Sequence, residues 1–311
     1  MTDPHASVAA DQFMAHRRLM WSIAYRMLGS ATEAEDILQE TYLRYHTTPA
    51  ETIRSPKAFL STIVTRLCLN RLTSARARRE LYVGPWLPEP VLTDFDDESA
   101  PASVGASPCF LIEQRESISL AFVFLLEHLT PAERAAFLLR EVFEYEYAEI
   151  GQILDKTESA CRQLFSRAKK RVSDLRPRFM ATPEQHRILL ARFMAAVSTG
   201  QLEAVMALLS DDVSLWADGG GKVPGAALRS IHGQVPVAKF VLASARFLPP
   251  GFETRVAEIN GRPAAILALK GNPVLVIDVG VDNSRIRQIR VVGNPDKLAR
   301  VSGNSMPVAF A

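Results

Sequence analysis

The sequence predicts a multidomain protein: two all-α segments, the second carrying a helix-turn-helix, followed by an α+β domain with a curved antiparallel sheet. Three observations predict it. Apolar residues recur at helical spacing over 7–79 and again over 111–179. A stretch rich in proline and acid, residues 80–110, separates the two blocks. From Pro183 to about residue 300, two helical stretches give way to alternating apolar and polar segments divided by turn signals.

In the first block, Leu19, Ile23, Arg26, Met27 and Ser30 form a partly apolar stripe, and Gly29 is placed to end that helix. Thr32 with Glu35 three residues later reads as a capping box for a second helix. Its apolar positions Ala34, Ile37, Leu38, Thr41 and Tyr42 leave Glu33, Asp36 and Glu40 mostly on the opposite side. A loop with Pro49 and Pro56 leads to a third helix carrying Phe59, Ile63, Leu67 and Leu69. The interdomain stretch holds Gly84, Pro85, Pro88, Pro90, Pro101, Pro108 and the acidic run from Asp94 to Glu98, yet also Trp86, which is costly to leave in water and is expected to dock on something. In the second block Thr130, Pro131 and Glu133 make a good helix start. Tyr147 to Leu154, the connection Asp155-Lys156 and a helix from Glu158 capped by Thr157 outline a helix-turn-helix. In the last block helices over 184–198 and 202–209 precede the segments VSLWAD, FETRVAEI, AAILALK, VLVIDV and RIRQIRVV, with Asn260-Gly261 and Gly271-Asn272-Pro273 as turns. Hairpin-joined strands imply an antiparallel sheet with helices on one face, enclosing a cavity.

With 311 residues the chain is long enough for two or three domains with separate cores. It contains no long apolar run that would span a membrane, and its start lacks the basic and apolar segments of a secretory signal. Cys68, Cys109 and Cys161 are odd in number and far apart, which argues for a reducing cytoplasm and against a disulfide framework or a zinc site; no metal or cofactor is expected. The net charge of +2 hides a strong segregation. Residues 66–79 hold five arginines and no acid, while 158–178 hold seven basic residues against Glu158 and Asp174. Glu33, Glu35, Asp36 and Glu40 form an acidic cluster, so one part of the chain is suited to nucleic acid and another to a basic partner. The alternative is that each cluster is a solvated helix face.

At the start of the helix after the turn, Arg162 and Gln163 have the geometry for guanine and adenine edges in a major groove. Arg167, Lys169, Lys170 and Arg171 are better placed for phosphates. In the last block the acid–base candidates are Asp218, His232 and Asp278, each with a structural alternative. The run Asp218-Gly219-Gly220-Gly221-Lys222 follows a strand without opening a helix and lacks P-loop spacing, so its glycines are expected to serve a tight turn and close backbone approach.

On these residues the chain resembles the extracytoplasmic-function sigma factors. AYRMLGSATEAEDILQETYLRYH resembles their polymerase-binding segment, SPKAFLSTIVTRLCLNRLTSARARR their minus-ten-reading helix, and LTPAERAAFLLREVFEYEYAEIGQIL with the following basic helix their minus-thirty-five-reading domain. The remainder is similar to one branch with a fused SnoaL-like (NTF2-like) domain. That likeness rests on Trp86-Leu87-Pro88-Glu89-Pro90, on Asp218 to Lys222, and on Asn294-Pro295-Asp296-Lys297-Leu298.

The resemblance implies a non-enzymatic initiation factor, a monomer when free, whose partners are core RNA polymerase (beta-prime and beta subunits) and promoter DNA. Asp36, Gln39 and Glu40 match the face that grips the beta-prime coiled coil. The loop 47–55, with Arg54 and Ser55, matches the one that captures a flipped minus-ten base, and Arg66, Asn70 and Arg71 the strand-contacting helix. Arg162, Gln163, Ser166, Arg167 and Lys170 match the minus-thirty-five contacts. Two departures bear on the base contacts: Asp155-Lys156 stands where the common pattern has a glycine and an aliphatic residue, and Leu164 where many such factors carry arginine. The C-terminal domain is expected to regulate through a junction of Trp86, Pro88 and Glu89 with the loop Asp218, Gly219, Gly220, Gly221 and Lys222 and with Asn294, Pro295 and Asp296. A small ligand for that domain, or an enzyme-like activity in it, is the competing expectation.

Overall fold

The computed structural model describes residues 4–80, 82–93, 118–175, 181–282 and 284–301. Cys109, Pro101, Pro108, the acidic run from Asp94 to Glu98, Arg176 and Arg178 lie outside the described residues, as do the side chains of Arg76, Arg78 and Arg79.

Among the described residues the first two blocks hold seven α-helices: α1 (Pro4–Leu28), α2 (Ala31–His46), α3 (Pro56–Glu80), α4 (Leu120–Leu126), α5 (Pro131–Phe137), α6 (Tyr147–Leu154) and α7 (Glu158–Leu175). Gly29 lies in the left-handed region, as a helix end there requires. The cap of α2 differs from the expected one. Ser30 is the N-cap and accepts from the Glu33 amide, while the Thr32 amide is taken by a distant carboxylate, that of Glu89. Thr130 and Glu133 form a reciprocal capping box at α5, and the Thr157 hydroxyl accepts from the Ala160 amide at the start of α7. Asp155 sits between α6 and α7 at φ 53°, the conformation that favours glycine; an aspartate tolerates it better than most side chains. A π turn, Leu138–Val142, links α5 to α6.

The apolar faces of α1 to α7 merge into one hydrophobic cluster, running from Phe13 and Met20 through Leu60 and Val64 to Phe137, Ile150 and Leu164, so the two helical blocks share a core. Both Cys68 and Cys161 are buried, and burial raises both thiols above their usual range.

The last block holds α8 (Pro183–Thr199), α9 (Leu202–Met206), α10 (Gln234–Ala245) and a six-stranded sheet in the order β2-β1-β6-β5-β4-β3. The strands are β1 (Leu209–Asp218), β2 (Ile231–His232), β3 (Phe252–Ile259), β4 (Arg262–Leu269), β5 (Asn272–Asp282) and β6 (Arg285–Val292). Tight turns, two of them at Asn260-Gly261 and Lys270-Gly271 with positive φ, reverse the chain between β3 and β6 and make those pairings antiparallel. The sheet is mixed, not wholly antiparallel, because β1 runs parallel to β6. No hairpin joins that pair; β1 enters the sheet from α9 and is separated from β3–β6 by α10, so no turn dictates its direction. The helix-covered face carries a cluster of buried apolar side chains, among them Leu190, Phe193, Val213, Leu215, Leu267 and Ile289. The opposite face, with Ile266, Val276 and Val292, packs against Leu87 of the linker and Leu120 of α4. This is the α+β SnoaL-like architecture.

Candidate nucleic-acid and polymerase interface and the linker junction

Helical periodicity puts Asp36, Gln39 and Glu40 on one exposed face of α2. Glu40 pairs with Arg44 at 2.6 Å and Asp36 with Arg71 at 3.6 Å, both at the surface. Leu43, one turn further on, is 63% exposed, so an apolar side chain stands bare beside the acids. The charge pattern did not single it out.

Arg54 and Ser55 are exposed in the loop before α3, and Asn70 is exposed on α3. Arg66 faces elsewhere: its guanidinium donates to the carbonyls of Ile153 and Gln152, both at 3.0 Å, at the end of α6. On α7, Arg162, Gln163, Ser166, Arg167 and Lys170 are all exposed, with Cys161, Leu164 and Ala168 turned inward. Arg162 lies 4.3 Å over the Tyr147 ring and pairs with Glu158, which holds it at the helix start. Arg167 and Arg171 converge on Glu133, a carboxylate with only 4% side-chain exposure. Burial alone would raise Glu133, but hydrogen bonds from Thr130 and the two guanidiniums outweigh it and lower its pKa.

The three short motifs meet at one junction. Asp218, at the end of β1, is buried and accepts four hydrogen bonds: from the Tyr82 hydroxyl at 2.5 Å, the Leu87 amide at 2.9 Å, Lys297 Nζ at 2.7 Å and the Gly220 amide at 3.1 Å. Lys297 also donates to the Leu87 carbonyl at 2.6 Å and lies 4.2 Å over the Trp86 ring. Burial, with the neighbouring Asp218 carboxylate, pushes the Tyr82 phenol upward. Gly220 has φ 58°, and any Cβ there would collide with the Asn294 side chain, which itself donates to Tyr82 at 2.8 Å. Trp86 is half-buried and reaches Gly29, where an added Cβ would stand 2.6 Å from its ring. Lys222 pairs with Asp296 at 2.5 Å on the surface, and Pro295 is exposed beside them.

The linker then crosses to α2. Pro88 and Pro90 are buried, and the Glu89 carboxylate accepts from the Thr32 amide at 3.1 Å and the Ser30 hydroxyl at 3.0 Å, so it sits on the N-terminus of α2. Asn260 is a participant that the sequence read only as a turn. Fully buried at φ 51°, it accepts from the Val91 amide at 2.9 Å and donates to the Tyr25 hydroxyl at 2.6 Å and the Ile118 carbonyl at 3.0 Å. One hairpin tip thus touches α1, the linker and the approach to α4. An NG dipeptide carries the turn signal, but nothing in it announces such partners.

The acid–base candidates are not brought together. Asp218 is committed to the linker, and Asp278 pairs with buried Arg290 at 2.7 Å. His232 is exposed between Ser214 and Ser230, both at 2.9 Å. Among the described residues no group of three or more His, Cys, Asp or Glu could hold a metal ion, and no helix is long and apolar enough to cross a membrane.

The model of sigma-70 region 2 matches residues 12–78, and that of sigma-70 region 4 matches residues 119–172. The ECF RNA polymerase sigma factor SigJ of Mycobacterium tuberculosis is 35% identical over 296 residues, 92% of each chain. A probable ECF RNA polymerase sigma factor of the same organism, SigI, is 28% identical over 294 residues, 94% of this chain and 96% of its own. The crystal structure of the M. tuberculosis SigJ superposes with a TM-score of 0.71 at 32% identity, covering 93% of this chain and 97% of that one.

Proposed function

The chain belongs to the extracytoplasmic-function RNA polymerase sigma factors, and from that premise we propose that it binds core RNA polymerase, directs it to promoter DNA and is regulated by its own C-terminal domain. Its functional units are region 2 (7–79), the linker (80–110), region 4 (111–179) and the regulatory domain (183–300). Asp36, Gln39 and Glu40, with exposed Leu43 beside them, dock on the beta-prime subunit, an acidic rim around an apolar contact. Arg54, Ser55, Arg66, Asn70 and Arg71 meet the minus-ten strand. Arg162 and Gln163 read minus-thirty-five bases, while Ser166, Arg167 and Lys170 hold the backbone.

The observation that carries the regulatory reading is Glu89. It caps α2, the helix whose outer face bears the polymerase contacts, and two residues earlier Leu87 is gripped by Asp218 and Lys297. Any shift of the C-terminal domain along the linker therefore reaches the polymerase-binding helix through a few bonds. Run-off transcription and pull-down with core polymerase test this. Reversing Asp36 and Glu40 to Lys is expected to abolish capture of core polymerase with the fold intact, since surface charge changes cost little stability. Trp86→Ala is expected to leave core capture measurable but change transcript yield. Unchanged capture with D36K/E40K refutes the docking face, and unchanged yield with W86A refutes regulation through the linker.

A further inference from the structure

We propose that the outer edge of β3 is a self-pairing surface: two copies of the chain join there edge to edge, antiparallel about a two-fold axis at Thr254, into one continuous sheet.

β3 ends the sheet order, and among the described residues no strand pairs with its outer side from Phe252 to Ala257. The linker takes up only the far end. There the Thr93 amide donates to the Glu258 carbonyl at 3.0 Å and the Asn260 amide to the Val91 carbonyl at 2.9 Å. In an antiparallel ladder each residue turns its N–H and C=O to the same side, and successive residues alternate. Glu258 and Asn260 face outward, and β3 pairs with β4 without a register shift. Phe252, Thr254 and Val256 therefore also present their N–H and C=O groups outward. Such an edge is a template for another strand. Phe252 and Val256, 37% and 44% exposed, share one face with Thr254, while Glu253 and Arg255 are exposed on the other.

Charges on an edge ordinarily keep other strands away. Here they have opposite signs and stand one residue to either side of Thr254. A register that forms hydrogen bonds must set outward-facing residues opposite one another. An axis at Thr254 does so: Phe252 meets Val256 of the second copy, Thr254 meets Thr254, and Glu253 meets Arg255 on both sides. Moving the axis one residue either way sets glutamate against glutamate or arginine against arginine, which is destabilising. The chain's own linker is a poorer occupant. Continued in the register that Leu92 and Ile259 set, it would bring Glu98 opposite Glu253.

Each opposed pair of outward residues exchanges two hydrogen bonds, and the apolar and charged pairs across the strands add to them. The contact from Phe252 to Val256 is short beside a standard interface, so the association is reversible and depends on concentration. At high concentration the free chain is thus a dimer, and not the monomer that the resemblance implies.

Sedimentation velocity of the full chain across the micromolar range reads the association, and the parent chain is expected to pass from monomer to dimer. Arg255 also donates to the Val301 carbonyl at 2.9 Å, so the single charge reversal is made at Glu253. Glu253→Arg opposes arginine to arginine twice and is expected to raise the dissociation constant about tenfold or more. Adding Arg255→Glu restores opposite charges and is expected to recover most of the loss. Thr254→Cys is expected to give a covalent dimer under mild oxidation. In a hydrogen-bonded antiparallel pair the Cα atoms stand about 5.5 Å apart, within disulfide reach. Val256→Cys, opposite Phe252, is expected to stay at the parent's background. All these positions are exposed, so the variants are expected to fold, and circular dichroism checks it. A parent chain that stays monomeric throughout overturns the proposal, its edge being closed by its own chain or its own charges. So does a dimer that E253R leaves intact, a double variant that pairs no better than E253R, or cross-linking at Val256 in place of Thr254.

Discussion

Regions 2 and 4 meet along one seam and the linker meets the C-terminal domain along another, and the two are built from different chemistry. At the linker seam a carboxylate and an ammonium are both withdrawn from water: Asp218 and Lys297 are paired at 2.7 Å, with every oxygen of Asp218 engaged. Main-chain pairing adds to it, since Thr93 donates to Glu258 and Asn260 to Val91. At the seam between the regions the Ser61 and Tyr145 hydroxyls meet inside the shared apolar core, and Arg66 bonds the end of α6 at the solvent-exposed rim. A buried, fully hydrogen-bonded pair is costly to break one partner at a time, whereas a solvent-exposed pair contributes little. The linker is thus fastened to the C-terminal domain by a buried ion pair, and the two regions are fastened to each other by a shared apolar core.

The comparison is most severely strained by Asp218→Ala. It leaves Lys297 buried without its counter-charge and is expected to cost roughly 3–5 kcal/mol. Denaturant unfolding and proteolysis within the 82–93 segment measure it; a loss below about 1 kcal/mol would show that the Asp218–Lys297 pair behaves like an exposed one.

A control lies inside the C-terminal domain. His186 is buried, and burial pulls its pKa from 6.5 down to about 4. The unfolded chain therefore binds a proton that the folded one refuses between those values. Stability is full above pH 6.5 and falls as pH drops toward 4, by on the order of 3 kcal/mol. His186→Leu is expected to flatten that part of the pH profile. Mild acid should thus weaken this domain by a route independent of either seam, and a wild-type profile flat between pH 6.5 and 4 would contradict it.

Asn260→Gly sharpens the comparison further. Glycine accepts the positive φ, so only the side-chain bonds to Val91, Tyr25 and Ile118 are lost, an expected cost of about 1–3 kcal/mol. Hydrogen exchange at the Val91 amide should rise in step. The smallest effect is expected from Lys222→Ala. Its pair with Asp296 is exposed on both sides, so a change of no more than about 1 kcal/mol is expected by thermal unfolding. A large loss there would show that the motif loop acts through charge and not through the close approach of Gly220.

Most of the helical and strand elements were legible because they depend on local spacing. Thr130 to Glu133 names its own cap, and β3 and β6 were read at their observed ends. The α2 cap was read two residues late, because Thr32 and Ser30 are both competent caps and the choice falls to Glu89, which lies far along the chain. Helix α10 was missed: Gln234–Ala245 is apolar on most sides and carries Pro236 in its first turn, so it shows no clean stripe. The parallel pairing of β1 was unreadable for a related reason, since only turns write strand direction into local sequence.

By itself, then, the sequence determined what short-range chemistry determines: the helices and turns, the acidic face of α2, the basic face of α7, and the motif residues that gather at one junction. Only the tertiary structure decided which partner each charged group takes. Asp218 reads as a candidate acid until Lys297, Tyr82 and Leu87 surround it, and Arg66 reads as a DNA contact until α6 offers two carbonyls. A hydrogen bond or ion pair between residues some 80 to 130 positions apart is fixed by how the elements pack, and no local pattern along the chain records it.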